Sequence, residues 1–317
     1  MSQLLQGAAA VVAAVAIGIG VYVLGSFWLM RGHQSARPFG ASSRELLREL
    51  FWASLTQPFI PLFYLIGSRL GRHRAGGVPI VFVHGYMQNR IDFLYIARAL
   101  GRRGLGPMYG FNYPWFSSIP KNAARLDAFV QRVCKETKSE LVDLVCHSMG
   151  GLVAMEMMRR EADRAKLRVR RCVTIASPHG GVVWNGPIIG FEGASLRKGS
   201  KLLEAHATAK LAVPTLSIYS SHDNVVFPKA TSSLALRGGR DVEVEGPAHL
   251  AILFSPDAAR HVADFLLEPD APPPAVTGAL TSEANANANL KQDMKISSSD
   301  DPLPPSSSKL ENRRGTP

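Results

Sequence analysis

The stretch LVDLVCHSMGGLVAMEMM, Leu141–Met158, contains the pattern of a strand, a tight turn and a helix, and the other predictions start from it. Its first residues form a short apolar run, which predicts a buried strand because two glycines, Gly150 and Gly151, interrupt it so soon. After the glycines, apolar residues recur at helical spacing. Ser148 therefore lies at a strand-to-helix corner, where its hydroxyl is held clear of the sheet beside the unpaired N–H groups of a helix N-terminus. This position is typical of a nucleophile.

One residue departs from the usual pattern of such a corner. A nucleophile elbow has glycine two residues before the serine, whereas this chain has Cys146. Cysteine is small enough for the helix to pass close to the strand, so we predict that the turn forms. The alternative is that SMGG is an ordinary turn between a strand and a helix. The companions of Ser148 elsewhere in the chain favour the first interpretation.

The composition predicts a globular protein that lies against a membrane. The chain has 317 residues, of which 46% are hydrophobic, so it can bury a substantial core, and we expect one globular unit. Its net charge is +11, but the basic residues are scattered and no zinc or RNA-binding motif is found, so nucleic acid is not an expected partner. A basic surface facing anionic lipid headgroups explains the same charge. Three cysteines without paired spacing predict neither a disulfide framework nor a metal site.

The N-terminal segment predicts a membrane anchor over residues 1–30. Gly7–Met30 contains no charged residue and is long enough to cross a bilayer, which requires roughly 20 apolar residues. A cleaved signal peptide is the alternative, but the leading MSQLLQ carries no positive charge and no clear cleavage site follows. We expect a single-pass anchor. Arginines follow it, which favours a cytoplasmic over a periplasmic or extracellular position for the next domain.

A second apolar stretch, Phe51–Gly67, leaves the topology open because it contains Pro58 and Pro61. It either crosses the membrane again, which would move the following domain to the other side, or lies in the interface with its aromatic side chains at headgroup depth. Arginines after it favour the interface. We assign residues 31–76 to a juxtamembrane, interfacial segment.

Strands and helices alternate after Gly77, which predicts an α/β fold with a mostly parallel sheet and helices on both faces over residues 77–268. In such sheets, ligands bind at the C-terminal ends of the strands. The predicted helices are Ile91–Arg102, Lys121–Lys135, the helix after Ser148, and Ala258–Leu267. From residue 269 the composition shifts to Pro, Ser, Ala and Asn, so residues 269–317 are predicted to be a disordered tail.

The alternation is interrupted between Pro178 and Ala212 by a glycine-rich insertion. Two interpretations stay open: the insertion covers the edge of the sheet, or its apolar side chains line a groove for an acyl chain. These side chains are Trp184, Ile188, Ile189, Phe191 and Leu196.

A serine hydroxyl becomes nucleophilic only when a histidine removes its proton and a carboxylate orients that histidine. After a corner of this kind the chain order is serine, acid, histidine. Asp223 follows an apolar strand in LSIYSSHDNVVFP, and His249 follows the next short strand in EGPAHLAIL. Alone, Asp223 could cap a turn and His249 could be an ordinary loop histidine. Together with Ser148, at successive strand ends, they predict a catalytic set, whereas Asp257 follows His249 and has the wrong order.

The reaction also requires N–H donors for the oxygen that becomes negative in the tetrahedral intermediate. One is expected at Met149, directly after the nucleophile. The second is expected in the loop after the first strand, where VFVHGYMQN places the backbone N–H of Tyr86 beyond the turn made by His84 and Gly85.

Five motifs between Val83 and Leu250 together resemble bacterial lipases and esterases of the α/β-hydrolase superfamily. They are VHGYMQN, VCHSMGG, TIASPHGG, SIYSSHDNVVFP and GPAHL, in this order. The resemblance implies an α/β-hydrolase fold with Ser148, Asp223 and His249 as the catalytic triad. It implies Tyr86 and Met149 as the oxyanion donors, and neither a cofactor nor a metal.

We therefore expect a membrane-anchored serine hydrolase that cleaves carboxylic esters, lipid acyl esters in particular, through an acyl-serine intermediate. A small-ester esterase and an acyltransferase would use the same residues. A non-catalytic hydrolase-like scaffold that holds partners at the membrane also stays open, because a fold does not determine a function.

Overall fold

The residues that the structure describes form one six-stranded sheet, in which all neighbouring strands are parallel. The computed structural model describes residues 2–33, 39–59, 70, 77–162, 167–183 and 193–269. The strand order is β2-β1-β3-β4-β5-β6. The strands are β1 (Ile80–Val83), β2 (Met108–Phe111), β3 (Val142–His147), β4 (Val169–Ile175), β5 (Thr215–Ser220) and β6 (Arg240–Val244). The predicted parallel sheet is confirmed.

Helices cover both faces of this sheet, which explains why its central strands read as continuous apolar runs. The side chains of α3 and α7, with one face each of α1 and α2, pack on one side of the sheet, and those of α4 and α5 pack on the other. The helices are α1 (Ser2–Met30), α2 (Phe39–Thr56), α3 (Leu94–Arg102), α4 (Ile119–Thr137), α5 (Met149–Ala162), α6 (Lys201–Thr208) and α7 (Pro256–Leu267).

Two of these helices begin two residues earlier than predicted, at a serine followed by a proline near the first turn. The hydroxyl of Ser118 accepts a hydrogen bond from the N–H of Lys121, and that of Ser255 accepts one from Ala258. A capping serine and an early proline are both favourable at a helix start, because the first N–H groups have no partner within the helix.

The order of the strands determines at which strand ends a ligand site is expected. From β1 the chain passes to β2 on one side, and β3 then pairs with β1 on the other side. Connections therefore diverge at the C-terminal ends of β1 and β3, which is where parallel sheets of this kind bind their ligands. Gly85 and Ser148 follow these two strand ends.

The N-terminal helix α1 has a buried and an exposed apolar side. Its segment Val12–Met30 is long and apolar enough to cross a membrane. Near its C-terminal end, Val23, Phe27 and Met30 are buried against the domain. The other face exposes apolar side chains that include Ile17, Val21, Leu24 and Trp28. Whether α1 crosses a membrane, and on which side the domain lies, stay predictions.

Part of the predicted interfacial stretch Phe51–Gly67 lies in α2, which continues to Thr56 and is followed by a 3₁₀ turn to residue 59. Residues 60–67 lie outside the described residues. Within α2, the ring of Trp52 stacks on Phe254 with centroids 3.6 Å apart. The predicted domain boundaries at residues 30, 76 and 268 stay predictions, although residues 1–268 form one compact unit.

Two further predictions fall largely on residues that the structure does not describe. In the insertion, Leu196 is buried and packs in the core with α4 and α5. Four of its apolar residues lie outside the described residues: Trp184, Ile188, Ile189 and Phe191. The tail predicted over residues 269–317 also lies outside them from residue 270 onward.

Candidate active site

Ser148 occupies a sharp turn between β3 and α5. Its φ angle is 53°, a left-handed conformation that non-glycine residues rarely adopt and that is often found at functional sites. The Ser148 N–H donates to the carbonyl of Ile175 at 2.9 Å, and the N–H of Gly151 donates to the Ser148 carbonyl at 3.0 Å. These bonds hold the strained turn in place.

The glycines after Ser148 allow α5 to pass very close to its neighbours. A Cβ atom on Gly150 would lie 2.3 Å from the carbonyl oxygen of Val83, and one on Gly151 would lie 2.2 Å from Ser177 Oγ. Cys146 is fully buried within β3. The turn therefore forms with cysteine at the position where the pattern has glycine, and the helix passes close to its neighbours at the glycines of positions 150 and 151.

The structure brings Ser148, Asp223 and His249 together. His249 Nε2 lies 3.0 Å from Ser148 Oγ, and His249 Nδ1 lies 2.9 Å from Asp223 Oδ2. The sequence placed the three residues at the ends of β3, β5 and β6, which lie at one edge of the sheet. Their hydrogen-bonded chain has the geometry in which an imidazole can take a proton from a hydroxyl while a carboxylate fixes its tautomer.

Asp223 also caps its own turn, which is the alternative interpretation that the sequence left open for this residue. Its Oδ1 atom accepts hydrogen bonds from the N–H groups of Val225 and Val226, at 2.8 and 2.7 Å. Both oxygens lie near His249 Nδ1, Oδ2 at 2.9 Å and Oδ1 at 3.1 Å. The turn therefore fixes the carboxylate in the orientation that the imidazole requires, so the two interpretations of Asp223 are compatible.

The environment of His249 favours its protonated form despite burial. Burial alone would lower the pKa of His249, but the charge and hydrogen bond of Asp223, together with the charge of Glu49, raise that pKa above its usual value. Such an environment is able to stabilise an imidazolium at this position.

The loop after β1 lies directly beside the nucleophile. A Cβ atom on Gly85 would lie 2.7 Å from Ser148 Cβ, so the two turns are in contact. Tyr86 follows this glycine and packs edge-on against Trp115, and Met149 is the first residue of α5. The two expected oxyanion residues therefore lie on either side of the Ser148 turn, and their role as donors stays a prediction.

Two buried histidines support these turns. The ring of His84 stacks on Tyr113, and burial lowers the pKa of His84 to about 4. His147 Nδ1 lies 2.7 Å from Gln88 Oε1, and its Nε2 lies 3.0 Å from the carbonyl oxygen of His249. Burial and the nearby His249 hold the pKa of His147 well below its usual value. His147 links the turns that follow β1, β3 and β6.

Two residues that contact the His249 segment were missed by the sequence reasoning. Asn224 Oδ1 accepts the backbone N–H of His249 at 2.9 Å. The Glu49 carboxylate accepts the N–H groups of Leu250 and Ala251, at 2.9 and 2.8 Å. Asn224 could have been found because it adjoins Asp223, whereas Glu49 lies 200 residues before His249 and no local pattern points to it.

Other histidines have separate structural partners. His206 Nε2 lies 3.1 Å from Glu156 Oε2, and His179 Nε2 lies 3.1 Å from Thr174 Oγ1. Burial lowers the pKa of His179 to about 3. Within the described ranges, no three His, Cys, Asp or Glu side chains form a group that could hold a metal ion.

This sheet and this serine corner define a class of protein. The sequence profile of the alpha/beta hydrolase family matches residues 80–305, which is more than half of the chain, so the protein belongs to that family. Among solved structures, it is similar to the mature lipase BlEst2 of Bacillus licheniformis, with 16% identity and a TM-score of 0.52 over 63% of this chain and 96% of that one. It is also similar to lipase B of Aspergillus fumigatus, with 18% identity and a TM-score of 0.55 over 64% of this chain and 55% of that one. At these identities the likeness shows a shared fold.

Proposed function

We propose that this protein is a membrane-anchored serine hydrolase that cleaves carboxylic esters, and lipid acyl esters in particular. One observation carries the proposal: His249 is hydrogen-bonded on one side to Ser148 Oγ at 3.0 Å and on the other to Asp223 Oδ2 at 2.9 Å. A buried histidine between a carboxylate and a serine hydroxyl on a strained turn is the arrangement that activates a nucleophile.

In the proposed reaction, Ser148 Oγ attacks the ester carbonyl carbon while His249 Nε2 takes the hydroxyl proton. Asp223 keeps the imidazole in the required tautomer and stabilises its charge. The backbone N–H groups of Tyr86 and Met149 donate to the negative oxygen. Collapse of the intermediate breaks the ester C–O bond, and the leaving alcohol takes the proton from His249. Water, deprotonated by His249, then attacks the acyl-serine carbonyl. The bond between the acyl carbon and Ser148 Oγ breaks, His249 returns the proton to Oγ, and the carboxylic acid is released, so the reaction requires no cofactor.

Apolar surface beside the site supports a substrate with an apolar acyl group. Met87 follows Tyr86 and is 43% exposed, and Phe116 is 48% exposed. Phe116 packs edge-on against Trp115, which in turn packs against Tyr86. An acyl chain bound next to the proposed oxyanion donors would contact this cluster.

The exposed face of α1 supports the membrane location. Its apolar segment contacts the domain through a few residues, and most of its side chains are exposed. Burying such a face in lipid removes the cost of exposing it to water. An anchor at this position would keep the enzyme next to lipid esters, and both structural relatives named above are lipases. We favour the cytoplasmic side for the domain because arginines follow α1.

Ester hydrolysis by the full chain in detergent tests this proposal. The substrates are p-nitrophenyl esters from acetate to palmitate and emulsified triacylglycerol. We expect turnover that increases with chain length, and a loss on the order of 10⁶-fold in kcat for Ser148→Ala. Preference for acetate would indicate a small-ester esterase, and acyl transfer to an added alcohol in place of hydrolysis would indicate an acyltransferase. Folded protein without turnover of any ester would contradict the proposal and favour a scaffold.

A further inference from the structure

Three consecutive backbone N–H groups, those of His249, Leu250 and Ala251, are bound by side chains from elsewhere in the chain. The first donates to Asn224 Oδ1 at 2.9 Å. The second and third donate to the carboxylate of Glu49, at 2.9 and 2.8 Å. Because the imidazole of residue 249 is carried by this backbone, its position depends on these acceptors.

Glu49 lies at a place where a carboxylate is costly. It is 2% exposed, on the face of α2 that packs against the domain, and a buried charge is destabilising unless hydrogen bonds compensate for it. Burial raises the pKa of Glu49 to about 7, although the two backbone N–H groups oppose that shift. The attachment of α2 does not itself require this carboxylate, because Trp52 stacks on Phe254 and Arg48 Nη2 donates to the Phe254 carbonyl at 3.3 Å.

We propose that Glu49 is a positioning residue for His249, an inference that rests on the proposed catalytic role of His249. Its carboxylate fixes the backbone directly after His249, and its negative charge faces the imidazole. It acts through His249 and contacts no reacting atom. Helix α2 precedes the family match at residues 80–305, so this chain uses a segment outside the matched region to complete its active site.

Helix α1 reaches the neighbouring loop in a similar way. Asn224 Nδ2 donates to Ser26 Oγ at 2.7 Å, while Asn224 Oδ1 accepts from the His249 N–H. The ring of Phe27 also packs edge-on against His222, with centroids 5.6 Å apart. The two N-terminal helices therefore hold the loops that carry the proposed acid and base.

A pH profile distinguishes positioning from a merely structural role, because four ionisable groups surround this site. Asp223 and Glu49 interact favourably with a protonated His249, whereas His147 lies with its ring centroid 4.8 Å from that of His249. Tyr22 of α1 interacts with the charges of Glu49 and Asp223. Removing the Glu49 charge leaves the other three groups in place and lowers the pKa of His249.

The test uses full-length protein in detergent and measures kcat and KM for p-nitrophenyl butyrate across pH, with the released alcohol quantified by chromatography. We expect Glu49→Ala to lower kcat about 10- to 100-fold with little change in KM, because the imidazole loses its alignment. We expect Glu49→Gln to shift the pH profile of kcat/KM, so that the midpoint of its decrease at acidic pH lies at a lower pH than in the wild type. Glu45→Gln is the matched control: this carboxylate lies one turn earlier on α2, pairs with Arg48 at 3.9 Å, and should leave both quantities unchanged.

The outcomes are separable. Circular dichroism first shows whether Glu49→Gln is folded. If the folded variant keeps the wild-type kcat and the wild-type midpoint of the pH profile of kcat/KM, the positioning role is rejected. A lower Tm with an unmoved midpoint rejects it as well, because that result is the signature of packing alone. If Glu49→Ala fails to fold, the Gln variant still decides. A wild type without turnover at any pH would instead reject the catalytic role of His249, and with it this inference.

Discussion

The two halves of the candidate active site are held in different ways. The nucleophile half, around Ser148, is fixed by close contacts between β1, β3 and α5, in which glycines allow backbone to approach backbone. The acid–base half, with Asp223 and His249, lies on two loops that side chains of α1 and α2 hold from about 200 residues away. The first half is rigid by local geometry, whereas the second depends on helices that lie before the matched hydrolase region.

This difference indicates which half of the site can change its activity without a change of catalytic residues. A turn built from backbone contacts tolerates little change, because any added atom meets another backbone. A loop held by a few side-chain hydrogen bonds responds to whatever moves the helices that carry them. We therefore expect substitutions in the nucleophile half to affect folding and activity together, and those in the acid–base half to affect activity more than folding.

After the loss expected for Ser148→Ala, the strongest decrease in activity is expected for Asp223→Asn. The amide keeps the volume of the side chain but disfavours the imidazole tautomer that accepts the Ser148 proton, so kcat should fall about 10⁴-fold. Steady-state kinetics of ester hydrolysis provide the measurement. Asp257→Asn, at an exposed position of α7 with 67% of its side chain exposed, is the control and should retain wild-type kcat. Near-normal turnover by Asp223→Asn would remove this residue from the proposed triad.

Gly150→Ala tests the rigid half. The new Cβ would lie 2.3 Å from the carbonyl oxygen of Val83 and 2.5 Å from that of His84. Because neither backbone atom can move cheaply, the free energy of unfolding should fall by about 1–3 kcal/mol or more, and activity should fall with it. Denaturant titration and ester hydrolysis measure the two effects.

Gly101→Ala is the matched control for that substitution. Its new Cβ would meet only the Met108 Cε atom, at an ordinary 3.8 Å. Near the end of α3, alanine should stabilise the helix by up to about 1 kcal/mol. If the two variants are equally stable, the close approach at Gly150 does not constrain the corner.

The pH dependence tests the acid–base half in the unmodified protein. The neutral imidazole is the active base, and the charges of Asp223 and Glu49 raise the pKa of His249 above 6.5. We therefore expect kcat/KM to fall about tenfold per unit of pH below a midpoint that lies above 6.5. Because Glu49 titrates nearby, the limb reports both groups together. A midpoint well below 6.5 would show that the two carboxylates do not control His249.

The smallest expected effect is that of Ser26→Ala in α1. It removes one hydrogen bond from Asn224, worth about 0.5–1.5 kcal/mol, while the bond from His249 N–H to Asn224 remains. We expect a few-fold loss of kcat and a small decrease in Tm. Ser43→Ala in α2 is the control, since the Ser43 hydroxyl donates to carbonyls of its own helix. Equal kcat values for the two variants would argue that contacts of α1 with the loop that carries Asp223 do not affect activity.

The strand, the turn at Ser148 and the helix after it could be predicted from the sequence because their signals are local. Strand, serine and glycines occur within one short run, and the alternation of strands and helices places Asp223 and His249 at neighbouring strand ends. The departure at Cys146 did not prevent the corner, and the glycines at positions 150 and 151 allow the helix to pass close to its neighbours. These features follow from short-range pattern and the rules of parallel sheets.

The support that α1 and α2 give to the acid–base half could not be predicted from the sequence. An apolar stretch such as Phe51–Gly67 has the same composition whether it packs on a protein or on lipid. The sequence therefore does not indicate that Trp52 packs on Phe254. Glu49 looks like any acidic residue of an amphipathic helix, and only the fold shows that it is buried against Leu250 and Ala251. Contacts across 200 residues carry no local signal.

Labelling with a fluorophosphonate probe shows whether Ser148 is an activated nucleophile, because the probe reacts with a serine that a histidine has activated. The full chain is labelled in detergent, and peptide mass spectrometry locates the modified residue. We predict one label per molecule, on Ser148, that is absent from Ser148→Ala and greatly slowed in His249→Ala. Folded protein that stays unlabelled, or that carries the label at another residue, would contradict the account.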